Sequence, residues 1–299
     1  MTKDKNIMTF RCKHRHSAFS HPKCYLKFLG GDQSAIKNMP KVLLFDIETA
    51  PLSAYVFQKS VYRTNITEEQ VISEWFMLTW SAKWLYDDTV MSEKLTGNEA
   101  INEDDKRITG KFWELLDECD IAIAHNGDGF DIPNMNTRFI VNNLPPPSPY
   151  KTIDTLLVAR QQFGFTHNNL NALARVFGFE SKKDTDLELW KRCVRGNSEA
   201  LAYMQEYNIG DTILLEKVYL KLRPWIRNHP NIGLYMDTHS TVCTNCGSDK
   251  VVWLKDKFQY SGTSKFPLFV CECGAYGRGR TSLITKKTNP NLGISLPTK

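Results

Sequence analysis

The stretch VLLFDIET, residues 42–49, decides how the middle of the chain folds. It is apolar at nearly every position, which is typical of a central strand that is buried on both faces. Asp46 and Glu48 stand two residues apart near its end. Because side chains alternate along a strand, the two carboxylates project from the same face. The stretch therefore predicts a central strand that ends in a pair of acids.

Two further patches carry acids, HNGDGFD at 125–131 and YNIGD at 207–211. The first closes with Asp131, and the second would place Tyr207 and Asp211 on one face of a helix because they are four residues apart. Carboxylates are the ligands that Mg²⁺ and Mn²⁺ prefer. Two such ions about 4 Å apart promote the attack of water on a phosphodiester. If the patches converge, they predict a two-metal phosphodiesterase site in which the phenol orients the attacking water.

Strand and helix patterns alternate along the rest of the chain, which is typical of an α/β fold. Strands are expected at 41–48, 73–85, 89–95 and 121–124. Helices are expected at 107–118, 131–143, 152–162 (after Asp154), 168–177, 186–195 and 198–222. The pattern predicts one α/β domain over 36–228, which is an ordinary domain size, between two smaller terminal modules.

The composition limits the class of protein to which the chain can belong. The 299 residues are 41% hydrophobic and 24% charged, which is typical of a soluble globular protein. No apolar run reaches the roughly 18 residues that span a bilayer, and the polar N-terminus differs from a secretory signal. A cytoplasmic protein without a membrane partner is therefore expected.

The net charge of +5 is unevenly distributed. Residues 1–30 and 240–299 each carry a surplus of six basic residues, whereas 31–239 carry 29 acids against 22 bases. This distribution favours an enzyme that collects metal cations at its centre and holds a polyanion at its ends. The alternative is that the surplus reflects only small basic zinc modules and the usual variation of surface charge.

The three acidic patches resemble the motifs of the DEDDy 3′–5′ exonucleases, which are the ribonuclease H-like proofreading domains of family A and family B polymerases. The form Tyr207-Asn208-x-x-Asp211 is most similar to the family B type and to stand-alone YprB-like ribonuclease H-like proteins. The resemblance covers roughly residues 40–225. It implies an α/β fold with a ribonuclease H-like mixed sheet flanked by helices.

The resemblance also implies roles for the acids and the phenol. Asp46, Glu48 and Asp211 would hold the tighter metal together with the nucleophilic water. Asp46 would bridge to the second metal, which Asp131 would support, directly or through water. Tyr207 would orient the attacking water. These roles require two Mg²⁺ or Mn²⁺ ions as cofactors.

Several neighbouring residues are weaker candidates for a role in the site. The resemblance implies that Asn126 and Phe130 shape it and contact nucleic acid without doing chemistry. His125 is a second candidate for orienting the water, but it lies on the strand side of the loop and is expected to be structural. Asp128, in the same loop as Asp131, could be a decoy that only resembles a site acid. Asp154 is a candidate for a supporting role behind the metal ligands.

The function that follows is a two-metal 3′–5′ exonuclease that acts on DNA at single-stranded or frayed 3′ ends. A ribonuclease or a structure-specific endonuclease remains an alternative, because one fold supports many activities. RNA is therefore a second candidate partner. An alternative from another class is a zinc-ribbon nucleic-acid-binding protein with a vestigial nuclease core. Because stand-alone relatives are often encoded by phages, viral genome processing stays open beside proofreading, repair and recombination.

Cysteines near the C-terminus predict a structural zinc site. Cys243 and Cys246 form one pair, and Cys271 and Cys273 form a second pair after a 24-residue insert rich in aromatic residues. Four thiolates hold Zn²⁺ tetrahedrally, and such a site stabilises modules that are too small for a core. The second pair is Cys-x-Cys rather than Cys-x2-Cys, so His239 remains an alternative ligand.

This module, a zinc ribbon over 236–283, is also expected to contact nucleic acid. Basic and aromatic residues alternate in it, as in surfaces that bind single strands. Trp253 and Phe269 are expected to form the core of the module itself. The better candidates for contact are three residues of the motif YGRGR: Tyr276, Arg278 and Arg280.

The N-terminal segment 1–35 carries a second group of potential zinc ligands. These are Cys12, His14, His16, His21 and Cys24. Zn²⁺ needs four ligands, so one of the five is spare. The alternative is a disordered basic arm whose histidines only titrate. The segment 284–299 is expected to be a flexible basic tail. Cys119 and Cys193 stand alone and are expected to be core thiols.

Overall fold

The computed structural model describes residues 40–57, 65–179, 185–236, 239–285, 287–289 and 291–293. The N-terminal group of cysteines and histidines lies outside the described residues, and the C-terminal tail is described only in part. No helix among the described residues is long and apolar enough to cross a membrane.

A five-stranded mixed sheet forms the centre of the molecule. Strand β1 (Val42–Thr49) pairs antiparallel with β4 (Met77–Trp84) and parallel with β6 (Ile121–Ala124). Strand β5 (Met91–Lys94) extends the sheet beyond β4, antiparallel to it, and β7 (Lys151–Asp154) extends it beyond β6, parallel to it. The expected mixed sheet with helices around it is confirmed, and β1 is its central strand.

Helices cover both faces of this sheet. They are α1 (Gly97–Ile101), α2 (Lys106–Glu118), α3 (Asp131–Val141), α4 (Thr155–Gln162), α5 (Leu170–Val176), α6 (Leu187–Val194) and α7 (Ser198–Leu222). Short 3₁₀ turns lie at Glu68–Gln70, Arg223–Trp225 and Ile232–Tyr235. Most expected helices are present, and α7 keeps its predicted bounds.

Two predicted elements differ from the structure. The helix expected over 152–162 after Asp154 does begin at Thr155, but residues 152–154 belong to the strand Lys151–Asp154, which was not expected. A four-residue strand is too short to show a period of two, so the pattern of the following helix dominates. The strand expected over 73–85 is divided, because β3 (Val71–Ser73) pairs with β2 (Ser53–Ala54) in a separate small sheet.

The side chains of β1 alternate between two buried clusters. Leu43 and Phe45 pack on one side, where Phe112 of α2 lies 5.4 Å from Phe45 between ring centroids. Leu44 packs on the other side with Leu215 of α7. Asp46 and Glu48 continue the alternation on the α7 side. The central strand therefore points its acids toward the longest helix.

Polar contacts fix the rotation of α7 against β4. The Ser81 hydroxyl donates to the backbone oxygen of Asn208 (2.8 Å) and lies 2.5 Å from the Thr212 hydroxyl. One turn further, buried Lys83 forms an ion pair with Glu216. Because the helix contacts recur every four residues, they lie on one face of α7 and hold that face on the sheet.

A second sheet follows α7. Its strands β8 (Val251–Ser261), β9 (Ser264–Cys271) and β10 (Tyr276–Arg278) are antiparallel, with β9 in the middle. The segment before it docks on the end of α7, since the Asn245 amide donates to the backbone oxygens of Arg223 (2.9 Å) and Ile226 (3.2 Å). The second sheet is thus attached directly to the helix that reaches the acids of β1.

A buried carboxylate ties α2 and α3 to the sheet. Asp105 is fully buried and accepts hydrogen bonds from the Arg138 guanidinium (2.6 and 2.8 Å), the Asn142 amide (2.9 Å) and the Met77 backbone N–H (2.9 Å). Arg138 lies on α3, whose first residue is Asp131. The position of Asp131 therefore depends on this contact.

We expect Asp105→Ala to lower the free energy of unfolding by about 3–5 kcal/mol, because it leaves the Arg138 charge buried without its partner. Denaturant unfolding followed by circular dichroism measures the change. Glu114→Ala, at an exposed position of α2, is the control and should change stability by less than about 0.5 kcal/mol. Equal stability of the two variants would contradict the role given to Asp105.

Candidate functional site

Three acids meet where β1 faces α7. A carboxylate oxygen from each of Asp46, Glu48 and Asp211 lies within 4.8 Å of the other two. Like charges at this distance repel one another, and a divalent cation with oxygen ligands would offset the repulsion. The three residues together offer oxygen donors of the kind that Mg²⁺ and Mn²⁺ prefer.

Asp131 borders this three-acid group without joining it. It is 2% exposed at the start of α3, and its Oδ1 accepts a hydrogen bond from the Ile47 backbone N–H (3.2 Å). Burial raises the pKa of the Asp131 carboxyl well above its usual range, and the charges of Asp46 and Glu48 add to the rise. The fourth acid is thus held beside the group by the strand that carries two of its members.

Tyr207 lies on α7 one turn before Asp211. Burial raises the pKa of its phenol to about 12, the nearby charge of Glu48 contributes, and a hydrogen bond with Thr185 opposes the rise. The phenol therefore stays protonated at neutral pH and keeps its O–H as a donor. A protonated hydroxyl next to the acids is a group that can orient a water molecule.

Asn208 is a site residue to which the sequence pattern assigned no role. Its side chain is fully buried, and its amide nitrogen donates to Oδ2 of Asp46 at 2.6 Å. This hydrogen bond fixes the orientation of the Asp46 carboxylate. The sequence does contain a signal for this role, since Asn208 and Thr212 are polar residues four apart among the apolar residues of α7.

The loop before α3 is shaped by the carboxylate of Asp154. Its oxygens accept from the backbone N–H groups of Asn126 (2.9 Å) and Asp128 (3.3 Å), and they also cap α4. Asn126 has a positive φ of 72°. A side chain on Gly127 would lie 2.6 Å from the Cβ of Ala124, so this position requires glycine. Asp154 thus organises the loop.

Other loop residues fall outside the three-acid group. The two ring nitrogens of His125 are hydrogen-bonded to the Thr155 hydroxyl (2.8 Å) and the Asn168 backbone oxygen (2.9 Å). Asp128 is exposed, and the ring of Phe130 is 40% exposed. His125 has the structural contacts expected of it, and Phe130 is accessible to a ligand.

The four C-terminal cysteines form a second cluster. Their sulfur atoms lie within 4.8 Å of one another, with Sγ separations of 3.7 Å for Cys243 and Cys273 and 3.6 Å for Cys246 and Cys271. All four are free thiols, so the shorter Cys-x-Cys pair still supplies two ligands. Within the part of the chain that the structure describes, His239 is not a member. The donor set suits a soft or borderline cation such as Zn²⁺.

Phe269 and Trp253 form a small aromatic core in the second sheet. Phe269 is buried (1% exposed) and its ring covers the backbone of Gly277, where an added Cβ would lie 2.0 Å from the ring. Trp253 packs edge-to-face on Phe269 as expected, with ring centroids 5.2 Å apart, but its side chain remains 45% exposed. Three strands cover only one large ring, so Trp253 remains at the edge.

The basic motif after β9 is accessible. Tyr276 is 63% exposed and Arg280 is exposed. The guanidinium of Arg278 lies over the ring of Phe266, 3.9 Å from its centroid. All three predicted contact residues are therefore on the surface of the second sheet and its continuation.

A search of curated proteins gives no match. Among solved structures, the chain is similar to the family B DNA polymerase of the hyperthermophilic archaeon Pyrobaculum calidifontis, with 15% identity and a TM-score of 0.43. The similarity covers 62% of this chain and 26% of the polymerase chain.

The chain also matches the model of a protein family. The family model of the RNase H superfamily matches residues 43–223, which extend from β1 to the end of α7 and include all three acids of the group. The match covers more than half of the sequence, and the chain belongs to the RNase H superfamily.

Proposed function

We propose that the protein is a metal-dependent 3′–5′ exonuclease of the DEDDy type that acts on DNA. The observation that carries the proposal is the three-acid group of Asp46, Glu48 and Asp211 in a chain of the RNase H superfamily. Acids brought together from a strand and a distant helix are costly unless they bind cations. The direction of cleavage and the preference for DNA rest on the resemblance of the three motifs to DEDDy exonucleases.

The acids would hold two Mg²⁺ or Mn²⁺ ions. Bound there, the ions would neutralise phosphate oxygens and lower the pKa of a coordinated water. The chain itself supplies the arrangement, since Asn208 orients Asp46 and the Ile47 backbone orients Asp131. Burial raises the pKa of the Asp131 carboxyl, and a cation held beside it would favour its ionised form.

Tyr207 supplies the remaining polar group of the site. Its protonated phenol would donate a hydrogen bond to the attacking water and aim it at the phosphorus. Phe130 directly precedes Asp131 in the chain, and its ring is exposed. This ring would contact the terminal nucleotide of the substrate. These roles need no residue of the second sheet.

The four-cysteine cluster would hold one structural Zn²⁺, which makes the second sheet a zinc ribbon. Four thiolates fill a tetrahedral site, so this metal would have no open position for catalysis. The N-terminal residues Cys12 to Cys24 remain a proposal for a second zinc site.

One assay tests the function as a whole. The purified full chain is incubated with Mg²⁺ or Mn²⁺ on end-labelled single-stranded DNA, duplex DNA and RNA. A product ladder that shortens from the 3′ end of DNA is the expected result. Internal cuts would indicate an endonuclease, preference for RNA a ribonuclease, and binding without cleavage a vestigial core; each would replace the proposal.

We expect Asp46→Asn and Asp211→Asn each to lower kcat at least about 100-fold, because each removes a group that stabilises the transition state through the metal. Cleavage of labelled single-stranded DNA measures the loss, and circular dichroism confirms folding. Asp128→Asn, at the exposed acid of the neighbouring loop, is the matched control and should retain full activity. Full activity of either Asp46→Asn or Asp211→Asn would remove the assignment.

Tyr207→Phe should lower kcat roughly 100-fold, because the water loses its orientation, while Mg²⁺ affinity stays unchanged. Metal titration of the rate separates the two effects. Tyr203→Phe removes the same hydroxyl one turn earlier on α7 and should leave the rate unaltered. An unchanged rate in Tyr207→Phe would mean that another group positions the water.

Asp131→Asn should raise the free energy of unfolding by about 1 kcal/mol in buffer without Mg²⁺ or Mn²⁺. The amide oxygen can still accept the hydrogen bond from Ile47, whereas the repulsion from Asp46 is removed. The same variant should lose activity at least about 100-fold. A loss of stability would show that the charged carboxylate stabilises the fold without metal.

Cys243→Ser should lower the zinc content by one ion per chain, because one of four thiolates is removed. Atomic absorption of the purified protein measures the content. Cys193→Ser, at a buried cysteine of α6 outside the cluster, should keep the full zinc content. Equal zinc content in both variants would place the metal elsewhere.

A further inference from the structure

The two faces of the second sheet carry different side chains. Strand pairing puts Trp253 opposite Phe269, Phe258 opposite Pro267, and Tyr260 opposite Lys265. Residues that pair directly across an antiparallel ladder share a face, so these side chains lie together. We call the side of the sheet with Trp253, Phe258, Tyr260 and Lys265 the aromatic face. Val252, Tyr276 and Arg278 lie on the opposite face.

The aromatic face is open to solvent along β8. Trp253 is 45% exposed and Tyr260 is 64% exposed. Phe258 lies between them in the chain, with its ring centroid 6.5 Å from that of Tyr260. The Lys265 ammonium lies 3.8 Å from the Phe258 centroid and 6.0 Å from the Tyr260 centroid. The face thus offers a row of rings with a positive charge among them.

This combination fits single-stranded nucleic acid. Unpaired bases stack on exposed rings, and lysine side chains neutralise the phosphates between them. Residues 239–285 of the described chain carry six basic residues against three acids, which adds a favourable field for a polyanion. A duplex offers no free base faces, so the rings select unpaired strands.

The opposite face offers less for such a contact. Its accessible ring is Tyr276, and the Arg278 guanidinium is already stacked on Phe266. Val252, Val270 and Leu268 surround these residues with aliphatic side chains. The opposite face therefore has one exposed ring on which a base could stack, whereas the aromatic face has at least two.

We propose that the aromatic face binds the single-stranded part of the nucleic acid whose end enters the acidic site; the proposal rests on the proposed nuclease function. Asp211 and the end of α7 at Leu222 are separated by roughly 16 Å of helix. The second sheet is attached beyond that end, through Asn245 and Arg223. A substrate must therefore be several nucleotides long to contact both sites.

Binding is tested in the full chain carrying Asp46→Asn, so that no cleavage occurs. Fluorescence anisotropy of a labelled oligothymidylate of about 15 nucleotides gives the Kd. Trp253→Leu and Tyr260→Leu remove the aromatic rings but keep apolar side chains, including one that can pack on Phe269. We expect each to weaken binding at least about tenfold. Val252→Ala, at an exposed side chain of the opposite face, should change the Kd less than about twofold.

A second measurement does not depend on ring packing. Lys265→Gln removes one charge near the phosphates and should reduce the slope of log Kd against log salt concentration by about 1. Zinc content and thermal unfolding of each variant confirm an intact second sheet. Oligouridylate and a duplex of equal length show whether RNA also binds and whether unpaired bases are required.

The results separate this proposal from the nuclease function. In the active background, the leucine variants should cleave a dinucleotide at the normal rate but show a raised KM on the long strand. Normal Kd values for both leucine variants, equal binding of duplex, or loss of affinity in Tyr276→Leu alone would overturn the aromatic face as the contact. Absence of cleavage of both substrates by the unmutated chain would instead overturn the nuclease function.

Discussion

Repulsion among carboxylates is the constraint on which the rest of the structure depends. Asp46, Glu48 and Asp211 lie within 4.8 Å of one another, with Asp131 buried beside them. Two like charges at about 4 Å repel each other by about 4 kcal/mol at the effective dielectric of a protein surface. The arrangement persists because the acids stand on the central strand and on a helix that is fixed to the sheet. Bound cations would offset this repulsion, and the attraction between the cations and the carboxylates would contribute to metal affinity.

Helix α7 links the parts of the molecule. On one face it brings Asp211 to β1, and the same face is held on β4 through Ser81 and through the ion pair of Lys83 with Glu216. Its far end receives the second sheet through Asn245. A change in the rotation of this helix would therefore shift the acids and the attached sheet together.

Features that follow from local sequence patterns were predicted, whereas features that depend on tertiary contacts were missed. The acid pair of β1 follows from alternation, and the bounds of α7 follow from Asn197 at its cap and helical spacing along it. The strand Lys151–Asp154 was missed because its partner β6 defines it, and four residues show no period. The role of Asn208 depends on which face of α7 meets Asp46. The packing of Trp253 on Phe269 was predicted, but the remaining exposure of Trp253 was not, because the small size of the sheet is not visible in its composition.

The two candidate metal sites differ in the chemistry of their donors. The acidic site offers carboxylate oxygens, which suit Mg²⁺ and Mn²⁺, whereas the cysteine cluster offers thiolates, which bind Zn²⁺ far more strongly. Zinc that entered the chain during folding would therefore be retained by Cys243 and its partners rather than by the acids. Because the cluster lies beyond the end of α7, a metal there can stabilise the second sheet without altering the charge balance around Asp46. Separate donor chemistry would keep the structural and catalytic ions in their own places.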